Sequence, residues 1–366
     1  MNDLARGGGS MRRIELSGTH AAMGEAFGEA FRSEIAQLYA LRLENALRQA
    51  TQYGGRPTGE ADLLRLARAC LAASERFDPR GTAELRGVAR GARLTPEQTL
   101  AMNGLTDLRD ALAWGDRDAL GATGCTALIA QRDTTRDGLP RLAQSWDLAS
   151  DNAPFVVFVE RRPSEGARTW SITTVGCQSL MSMNEHRLAL GTTNLRTRDA
   201  GVGVPYLGLI HRALEERSAA QAARVIAAAP RAGAHSYLAL DARGGGFVVE
   251  CTGKLSHTFV VERGTHVHTN HCQVPAHIAL EADTPRRSSE ARLARMRALL
   301  AAQSGQIDSA FLRDCYADPA GGSLAICRRD FDGISTNAAS VMTPELGELW
   351  GCAGVPDSSD KWERLL

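Results

Sequence analysis

Net charge is what this sequence most clearly lacks. Its 42 Lys and Arg residues balance 42 Asp and Glu residues over 366 positions. Proteins that bind nucleic acid or an anionic membrane surface usually carry a basic excess or a basic cluster. The balance therefore argues against both kinds of partner.

Long apolar runs and paired cysteines are also missing. The sequence contains no stretch of about 18 apolar residues and no signal-peptide core, so we expect a soluble, cytoplasmic protein. Its eight cysteines are scattered and form no Cys-x-x-Cys pair. That spacing argues against a zinc ribbon or a disulfide scaffold and favours reduced thiols.

The first third of the chain has the pattern of a helical segment. Residues 1–10 are rich in glycine and are interpreted as a tag or a frayed tail. Beyond them, 11–124 is predicted to be mostly helical, with Gly24 and Gly28 forming a close-packing face on the first helix. Turn residues at 114–124 suggest an exposed link. The predicted helices cover 19–51, 60–77, 82–92 and 95–113.

From Cys125 onward the pattern changes to short strands interrupted by pairs of helices. Strands, helices, strands and helices in that order predict an α+β fold, with antiparallel sheets and helices outside them. We therefore expect 125–366 to form one unit. Strands are predicted at 125–131, 140–146, 154–161, 168–174, 187–193, 235–241, 246–251, 256–262, 265–270, 335–342 and 347–353, and helices at 204–216, 218–229, 285–303 and 307–316.

The junction Gly124-Cys125-Thr126 carries the central hypothesis about chemistry. A thiol must lose its proton to become nucleophilic, and its ordinary pKa is about 8.5. A free α-amino group, with a pKa of about 8, can accept that proton from its own side chain. We therefore hypothesise that the chain cuts itself between Gly124 and Cys125. Taken alone, Cys125 favours the simpler interpretation, a small buried residue at the start of a core strand.

Three polar residues end predicted strands and are candidates to assist Cys125. Asp147 could orient an ammonium group, whereas the amides of Asn194 and Asn270 could donate to an oxyanion on an attacked carbonyl. Each has an ordinary alternative, because Asp and Asn are common in turns that follow strands.

A run of histidines offers two competing interpretations. His266, His268, His271 and Cys272 could ligate a metal, but four donors in seven strand residues seldom converge tetrahedrally, so we predict no metal. A papain-like site with His271 as base is the second alternative. The segment 284–290 is arginine-rich; it is predicted to be a solvated helix start that could also meet an anionic substrate group.

Together these residues resemble the acyl-coenzyme A:isopenicillin N acyltransferase family, peptidase group C45 of the N-terminal nucleophile hydrolases. The resemblance spans about 20–355. It is carried by Gly124-Cys125-Thr126, Gln144-Ser145-Trp146-Asp147, Asn194, His268-Thr269-Asn270-His271-Cys272 and Ser323-Leu324-Ala325-Ile326-Cys327-Arg328.

The resemblance implies a four-layer αββα core and autocatalytic cleavage before Cys125. The two resulting chains, 11–124 and 125–366, would stay associated, with homo-oligomer formation left open. Cys125 would be the nucleophile and its amine the base; Asp147 would position the amine, and Asn270 would hold the oxyanion with Asn194 as partner. No cofactor is implied, although a coenzyme A thioester could be a co-substrate.

Two departures from the family bear on the substrate. Gly333-Ile334 stands where the penicillin-making enzyme has a Ser-Arg pair, which argues against penicillin substrates. Gln144 and Ser145 stand where penicillin V acylases and bile-salt hydrolases usually have an arginine. Hydrolysis of a small N-acyl amide or aminoacyl conjugate is the favoured function. Acyl transfer from coenzyme A and a ligand-binding relative without catalysis are the alternatives.

Overall fold

Two β-sheets form the centre of the protein, whose structure is a computed structural model describing residues 10–55, 57–113, 124–283 and 285–366. The eight-stranded sheet has the order β1-β4-β5-β6-β7-β8-β9-β10, and the six-stranded sheet has the order β11-β2-β3-β12-β13-β14. The strands are β1 (Arg13–Gly18), β2 (Gly124–Ala130), β3 (Arg141–Ala149), β4 (Val156–Pro163), β5 (Thr169–Thr174), β6 (Met181–Asn184), β7 (Leu188–Asn194), β8 (His235–Asp241), β9 (Gly246–Cys251), β10 (Ser256–Val260), β11 (Thr265–His268), β12 (Ile334–Thr343), β13 (Glu348–Ala353) and β14 (Trp362–Arg364).

Helices cover both outer faces of this pair of sheets. In chain order they are α1 (His20–Ala30), α2 (Arg32–Gly54), α3 (Glu60–Phe77), α4 (Pro79–Ala92), α5 (Pro96–Asn103), α6 (Leu105–Ala113), α7 (Tyr206–Ala213), α8 (Ala219–Ala228), α9 (Pro275–Ile278), α10 (Arg287–Ala302) and α11 (Ser309–Tyr316).

The contacts between elements define four layers. Strands β2 and β3 of one sheet face β7 and β8 of the other, α8 lies on β8 and β9, and α10 and α11 lie on the far side of the six-stranded sheet. The predicted α+β class and the αββα arrangement are therefore confirmed.

Alternation along β2 explains why every residue of this strand is buried. Cys125, Ala127 and Ile129 belong to the core between the sheets, whereas Leu128 and Ala130 belong to the second core beneath α10 and α11. Successive side chains of a strand point to opposite faces, so a strand in the middle of four layers is buried on both. Cys125 consequently lies near the start of a strand that has no solvated face.

The glycines of α1 allow it to approach α4 at backbone contact, as predicted. A Cβ on Gly24 would lie 2.0 Å from the carbonyl oxygen of Glu84, and one on Gly28 would lie 2.4 Å from that of Val88. Gly87 and Gly91 of α4 make the reciprocal approach to α1. Any side chain at these four positions would separate the helices.

The structure corrects several details of the predicted secondary structure, including a division of the helix predicted over 95–113 at Gly104 and the unpredicted short helix α9. The N-terminal segment contributes β1, which pairs in parallel with β4, and short strands β6 and β14 were also missed. The helix predicted over 19–51 breaks at Phe31, whose φ of −123° and ψ of 28° are not helical. Both Phe27 and Phe31 remain buried, with ring centroids 5.7 Å apart.

Several expectations fall on positions that these ranges omit. The tail at 1–9, most of the predicted link (114–123) and Thr284 lie outside the described residues. None of the helices in the ranges above combines the length and the apolar composition that a bilayer crossing requires. The division at 124/125 stays a prediction.

Candidate active site

Cys125 occupies the second position of β2 and is only 5% exposed. Its backbone nitrogen donates a hydrogen bond to Oδ1 of Asn270, at 2.7 Å. In the sheet, Cys125 is paired with Trp146 of β3. The predicted nucleophile and one of its predicted partners, 145 positions apart, are thus in direct contact.

Strand pairing places Asp147 beside the residue that precedes the predicted cleavage point. In the antiparallel register of β2 and β3, Asp147 pairs with Gly124. A Cβ at Gly124 would lie 2.7 Å from Oδ2 of Asp147, so the contact requires glycine. Thr336 donates to Oδ1 at 2.8 Å, whereas Oδ2 is buried with no hydrogen-bond partner in the described part of the chain.

The environment of Asp147 opposes its charge. Burial raises the pKa of this carboxyl group, and the nearby guanidinium groups of Arg292 and Arg328 reduce that rise without cancelling it. An additional cation beside Oδ2, such as an α-ammonium group, would stabilise the carboxylate further.

Asn270 connects Cys125 to the other sheet. Its Oδ1 accepts hydrogen bonds from the backbone nitrogen of Cys125 and from Nη2 of Arg292 (2.8 Å), and its Nδ2 donates to the carbonyl oxygen of Asn194 (2.8 Å). Two donors on one side and a carbonyl acceptor on the other fix the orientation of the amide. Both sides of the Asn270 amide are therefore engaged.

Asn194 is the last residue of β7, on the opposite sheet, and is 6% exposed. Its side-chain Oδ1 and Nδ2 are both buried and have no hydrogen-bond partner among the described residues. An unpaired buried amide is costly, and such groups concentrate at functional sites. This side chain is free to donate to an atom that arrives with a substrate.

Arg292 is the site residue that sequence reasoning missed. It lies in α10, is 1% exposed, and donates through Nη1 to the carbonyl oxygen of Cys125 and, at 3.0 Å, to Oγ1 of Thr126. Its Nη2 contacts Asn270. In the sequence it is one of many arginines on a predicted outer helix, and the only available signal was its helical spacing with the apolar residues Leu293, Met296 and Leu300.

The Cys125 thiol is almost entirely protonated at neutral pH in the intact chain. Burial raises its pKa to about 12, the nearby charge of Asp147 adds to the rise, and Arg292 opposes it. At neutral pH very little thiolate is present, so a base must remove the proton during any reaction.

Glu250 anchors the loop that carries Asn270. This fully buried carboxylate accepts hydrogen bonds from Nε2 of His268 (2.9 Å) and from the backbone nitrogens of Gln273 (2.8 Å) and Val274 (3.0 Å). Asn270 lies between these anchor points, and its own backbone nitrogen donates to Oγ of Ser289 at 2.7 Å. Four bonds thus fix the position of one short segment.

The histidine run is used for this anchoring. Besides Glu250, His268 contacts Oγ1 of Thr193 at 3.0 Å through Nδ1. His271 contacts Ser289 at 2.7 Å, and burial lowers its pKa to about 4. Within the described ranges no hydrogen bond joins His271 to Cys125, so the geometry gives no support to the papain-like alternative.

Two further segments noted in the sequence have structural partners. Arg286, in the arginine-rich segment, forms an ion pair with Glu281 at 2.8 Å. Oε1 of Gln144 accepts a hydrogen bond from the backbone nitrogen of Thr192 at 2.7 Å and so links the two sheets.

A family model and several solved structures resemble the chain. The model described as "Acyl-coenzyme A:6-aminopenicillanic acid acyl-transferase" matches residues 134–357. Two variants of conjugated bile acid hydrolase from Clostridium perfringens match at 13% and 16% identity, each over 66% of this chain and 96% of that chain, with TM-scores of 0.43. Penicillin V acylase from Agrobacterium tumefaciens matches at 14% identity, over 63% of this chain and 82% of that chain, with a TM-score of 0.43. No curated protein shows significant similarity to the chain.

Proposed function

Because the chain belongs to the acyl-coenzyme A:6-aminopenicillanic acid acyl-transferase family, we propose that it is a self-processing amidohydrolase of small N-acyl amides or aminoacyl conjugates. Cys125, freed as an N-terminal residue, would form a thioester with the acyl group. The observation that carries the proposal is the contact between the backbone nitrogen of Cys125 and Asn270, with Asp147 opposite Gly124.

Self-processing begins with attack by Sγ of Cys125 on the carbonyl carbon of Gly124. The C–N bond then breaks, the departing nitrogen takes up a proton in place of the one that the thiol released, and Gly124 is left as a thioester on Sγ. Water hydrolyses this thioester, which gives a carboxylate at Gly124 and restores the thiol. Arg292, bonded to the carbonyl oxygen of Cys125, and Asn270, bonded to its nitrogen, hold the junction in place.

Turnover repeats the same bond changes on a substrate. The new α-amine of Cys125 accepts the thiol proton, Sγ attacks the amide carbonyl, and the amine proton passes to the leaving nitrogen. Hydrolysis of the acyl thioester completes the cycle. The unpaired Oδ2 of Asp147 and Oδ1 of Asn270 supply the negative charge and the acceptor that orient the α-amine.

The hydrogen bonds of the Asn270 amide suggest different roles for the two asparagines. The Nδ2 of Asn270 is already bonded to the carbonyl oxygen of Asn194, whereas the amide of Asn194 is unpaired among the described residues. We therefore assign the developing oxyanion chiefly to Asn194, and the acceptor for the amine to Asn270. The assignment that the family resemblance implies, with Asn270 holding the oxyanion and Asn194 as its partner, stays a prediction.

Acyl transfer from a coenzyme A thioester is the second candidate, and the description of the matching family favours it. The same thioester would then pass its acyl group to an amine instead of water. A catalytically inactive ligand-binding relative is the remaining alternative. Cytoplasmic location, association of the two processed chains and oligomer formation stay predictions.

Intact-mass measurement of the purified protein tests the proposal. We expect two fragments divided between Gly124 and Cys125, and a single uncut chain for Cys125→Ala. Cys70→Ala, at a buried cysteine of α3, is the matched control and should be cut normally. N-acyl amino acids, aminoacyl amines and acyl-coenzyme A thioesters should then be compared as substrates. Undiminished amidase activity in an uncut Cys125→Ala chain would refute the mechanism.

A further inference from the structure

A second cluster of reactive side chains lies where α1, α4 and α7 meet. It consists of His20 at the start of α1, Glu84 in α4 and His211 in α7. None of the three takes part in the proposed cysteine chemistry. Glu84 is 1% exposed and His211 is 8% exposed, while the side chain of His20 is 11% exposed at the edge of the cluster.

The spacing of the three donor atoms suits ligands around a common ion. Oε2 of Glu84 lies 3.6 Å from Nε2 of His211 and 3.8 Å from Nδ1 of His20, and all three atoms lie within 4.8 Å of one another. These separations are too long for good hydrogen bonds. Two ligands on a tetrahedral zinc ion, with bonds of about 2.0–2.1 Å, are separated by about 3.4 Å.

The second nitrogen of each histidine ring already has a partner, so the first nitrogen of each ring faces the centre of the cluster. Nε2 of His20 lies 2.9 Å from the carbonyl oxygen of Glu165, so it carries the proton that this oxygen accepts. Nδ1 of His211 contacts Oγ of Ser179 at 3.1 Å. Metal-binding histidines characteristically have such a partner on the second nitrogen, because it fixes the tautomer and the ring orientation.

Two of the three inward-facing atoms lack a hydrogen-bond partner in the described part of the chain. Nδ1 of His20 and Oε2 of Glu84 are buried without a hydrogen bond within the described ranges. In the neutral imidazole with a proton on Nε2, a lone pair on Nδ1 faces a carboxylate oxygen, and this contact is repulsive. A cation between them, either a metal ion or a proton on Nδ1, removes the repulsion.

The scaffold around the cluster is rigid and leaves one carboxylate oxygen available. Nε of Arg161 donates to Oε1 of Glu84 at 2.7 Å, so Oε2 alone faces the histidines. The backbone contact between α1 and α4 at Gly24 fixes the distance from His20 to Glu84. The positive charge of Arg161 opposes a cation at this position, whereas the negative charges of Glu84, Glu215 and Asp78 favour one.

We propose that His20 Nδ1, Glu84 Oε2 and His211 Nε2 bind one divalent transition-metal ion of the zinc type, with water as the fourth ligand. Two imidazoles and one carboxylate are the donor set that such ions prefer. The ion joins α1 and α4 to α7, and therefore connects the N-terminal helices to an element that follows Cys125 in the chain. This inference does not depend on the proposed amidase activity.

Titration of tag-free, metal-stripped protein with Co²⁺ tests the site. We expect one ion per chain, visible absorption of tetrahedral cobalt without thiolate charge-transfer bands, competition by Zn²⁺, and a higher Tm with either ion. His20→Ala should weaken binding by more than about 100-fold, which exceeds the usual effect of losing a partner of a ligand. His257→Ala, at an exposed histidine of β10, should bind normally.

Far-ultraviolet circular dichroism without metal shows whether His20→Ala is folded, and His211→Gln supplies a second test if it is not. Equal binding by the histidine variants and the parent protein would overturn the proposal. So would cobalt spectra dominated by thiolate bands, or failure of the folded parent protein to take up Co²⁺ or Zn²⁺. In that last case the three donors share a proton or a water molecule.

Discussion

The backbone nitrogen of Cys125 and Oδ1 of Asn270 lie 2.7 Å apart, across 145 positions of sequence. This contact joins the start of β2 to the loop after β11, the neighbouring strand of the same sheet. In the intact chain the donor is the amide nitrogen of the predicted scissile bond. After cleavage it would be an α-amine, and the same acceptor would hold it beside its own thiol.

Substitution of Gly124 by alanine should slow self-processing. The added Cβ would lie 2.7 Å from Oδ2 of Asp147, so either the scissile carbonyl or the carboxylate must move. A displacement of about 1 Å at a reacting group can lower a rate by about 100-fold. The time course of fragment appearance by mass spectrometry measures the effect. Gly201→Ala, where a Cβ meets no atom within 4 Å, should be processed at the parent rate.

Removal of the Arg292 guanidinium should impair both processing and turnover. Arg292→Met loses the bonds to the carbonyl oxygen of Cys125 and to Asn270, and we expect each rate to fall by about 100-fold. Arg295→Met is the matched control, because Arg295 lies one turn further along α10 and pairs with Asp318 at the surface. Equal losses in both variants would show that the effect is structural.

Asn194→Ala should lower kcat by about 100- to 1000-fold while changing KM little, because an oxyanion donor acts mainly in the transition state. Asn194→Asp keeps the shape of the side chain but replaces the donor by an acceptor, so it should be at least as impaired. Steady-state kinetics on processed enzyme provide the test. A rise in KM with unchanged kcat would instead assign Asn194 to substrate binding.

The rate of self-processing should rise with pH. Because the pKa of the buried Cys125 thiol is raised to about 12, the thiolate fraction increases about tenfold for each pH unit from about 6 to 9. The logarithm of the rate should therefore increase with a slope near one and without a plateau at the ordinary thiol pKa. A pH-independent rate would mean that ionisation of this thiol does not limit cleavage.

Glu250→Gln should destabilise the protein by about 3 kcal/mol at neutral pH, because buried hydrogen-bonded partners lose their charged acceptor. Burial alone would raise the pKa of Glu250, but bonds from His268 and two backbone N–H groups lower it to about 2. A lowered folded-state pKa adds stability above the ordinary pKa of about 4.3, and that contribution is lost as pH falls toward 2. Urea unfolding should therefore show the two proteins converging in acid.

Local sequence patterns predicted much of the fold and part of the candidate site. The period of two after Cys125, the helical period before it and the helix pairs between strands were sufficient for the α+β class. The glycine face of α1 was also predictable, because Gly24 and Gly28 lie four residues apart on a helix. These features depend on residues close together in the chain.

The sequence by itself supplied the candidates for the chemistry: a cysteine that follows a glycine, and an aspartate and two asparagines at the ends of predicted strands. Tertiary structure decided which of them meet and what else joins them. The pairing of Gly124 with Asp147, the engagement of the Asn270 amide and the parallel pairing of β1 with β4 all follow from strand register and loop position. Arg292 joins the candidate site only because α10 covers the six-stranded sheet and buries the guanidinium group against Cys125. Such burial depends on contacts between residues that are far apart in the sequence, so local patterns do not reveal it.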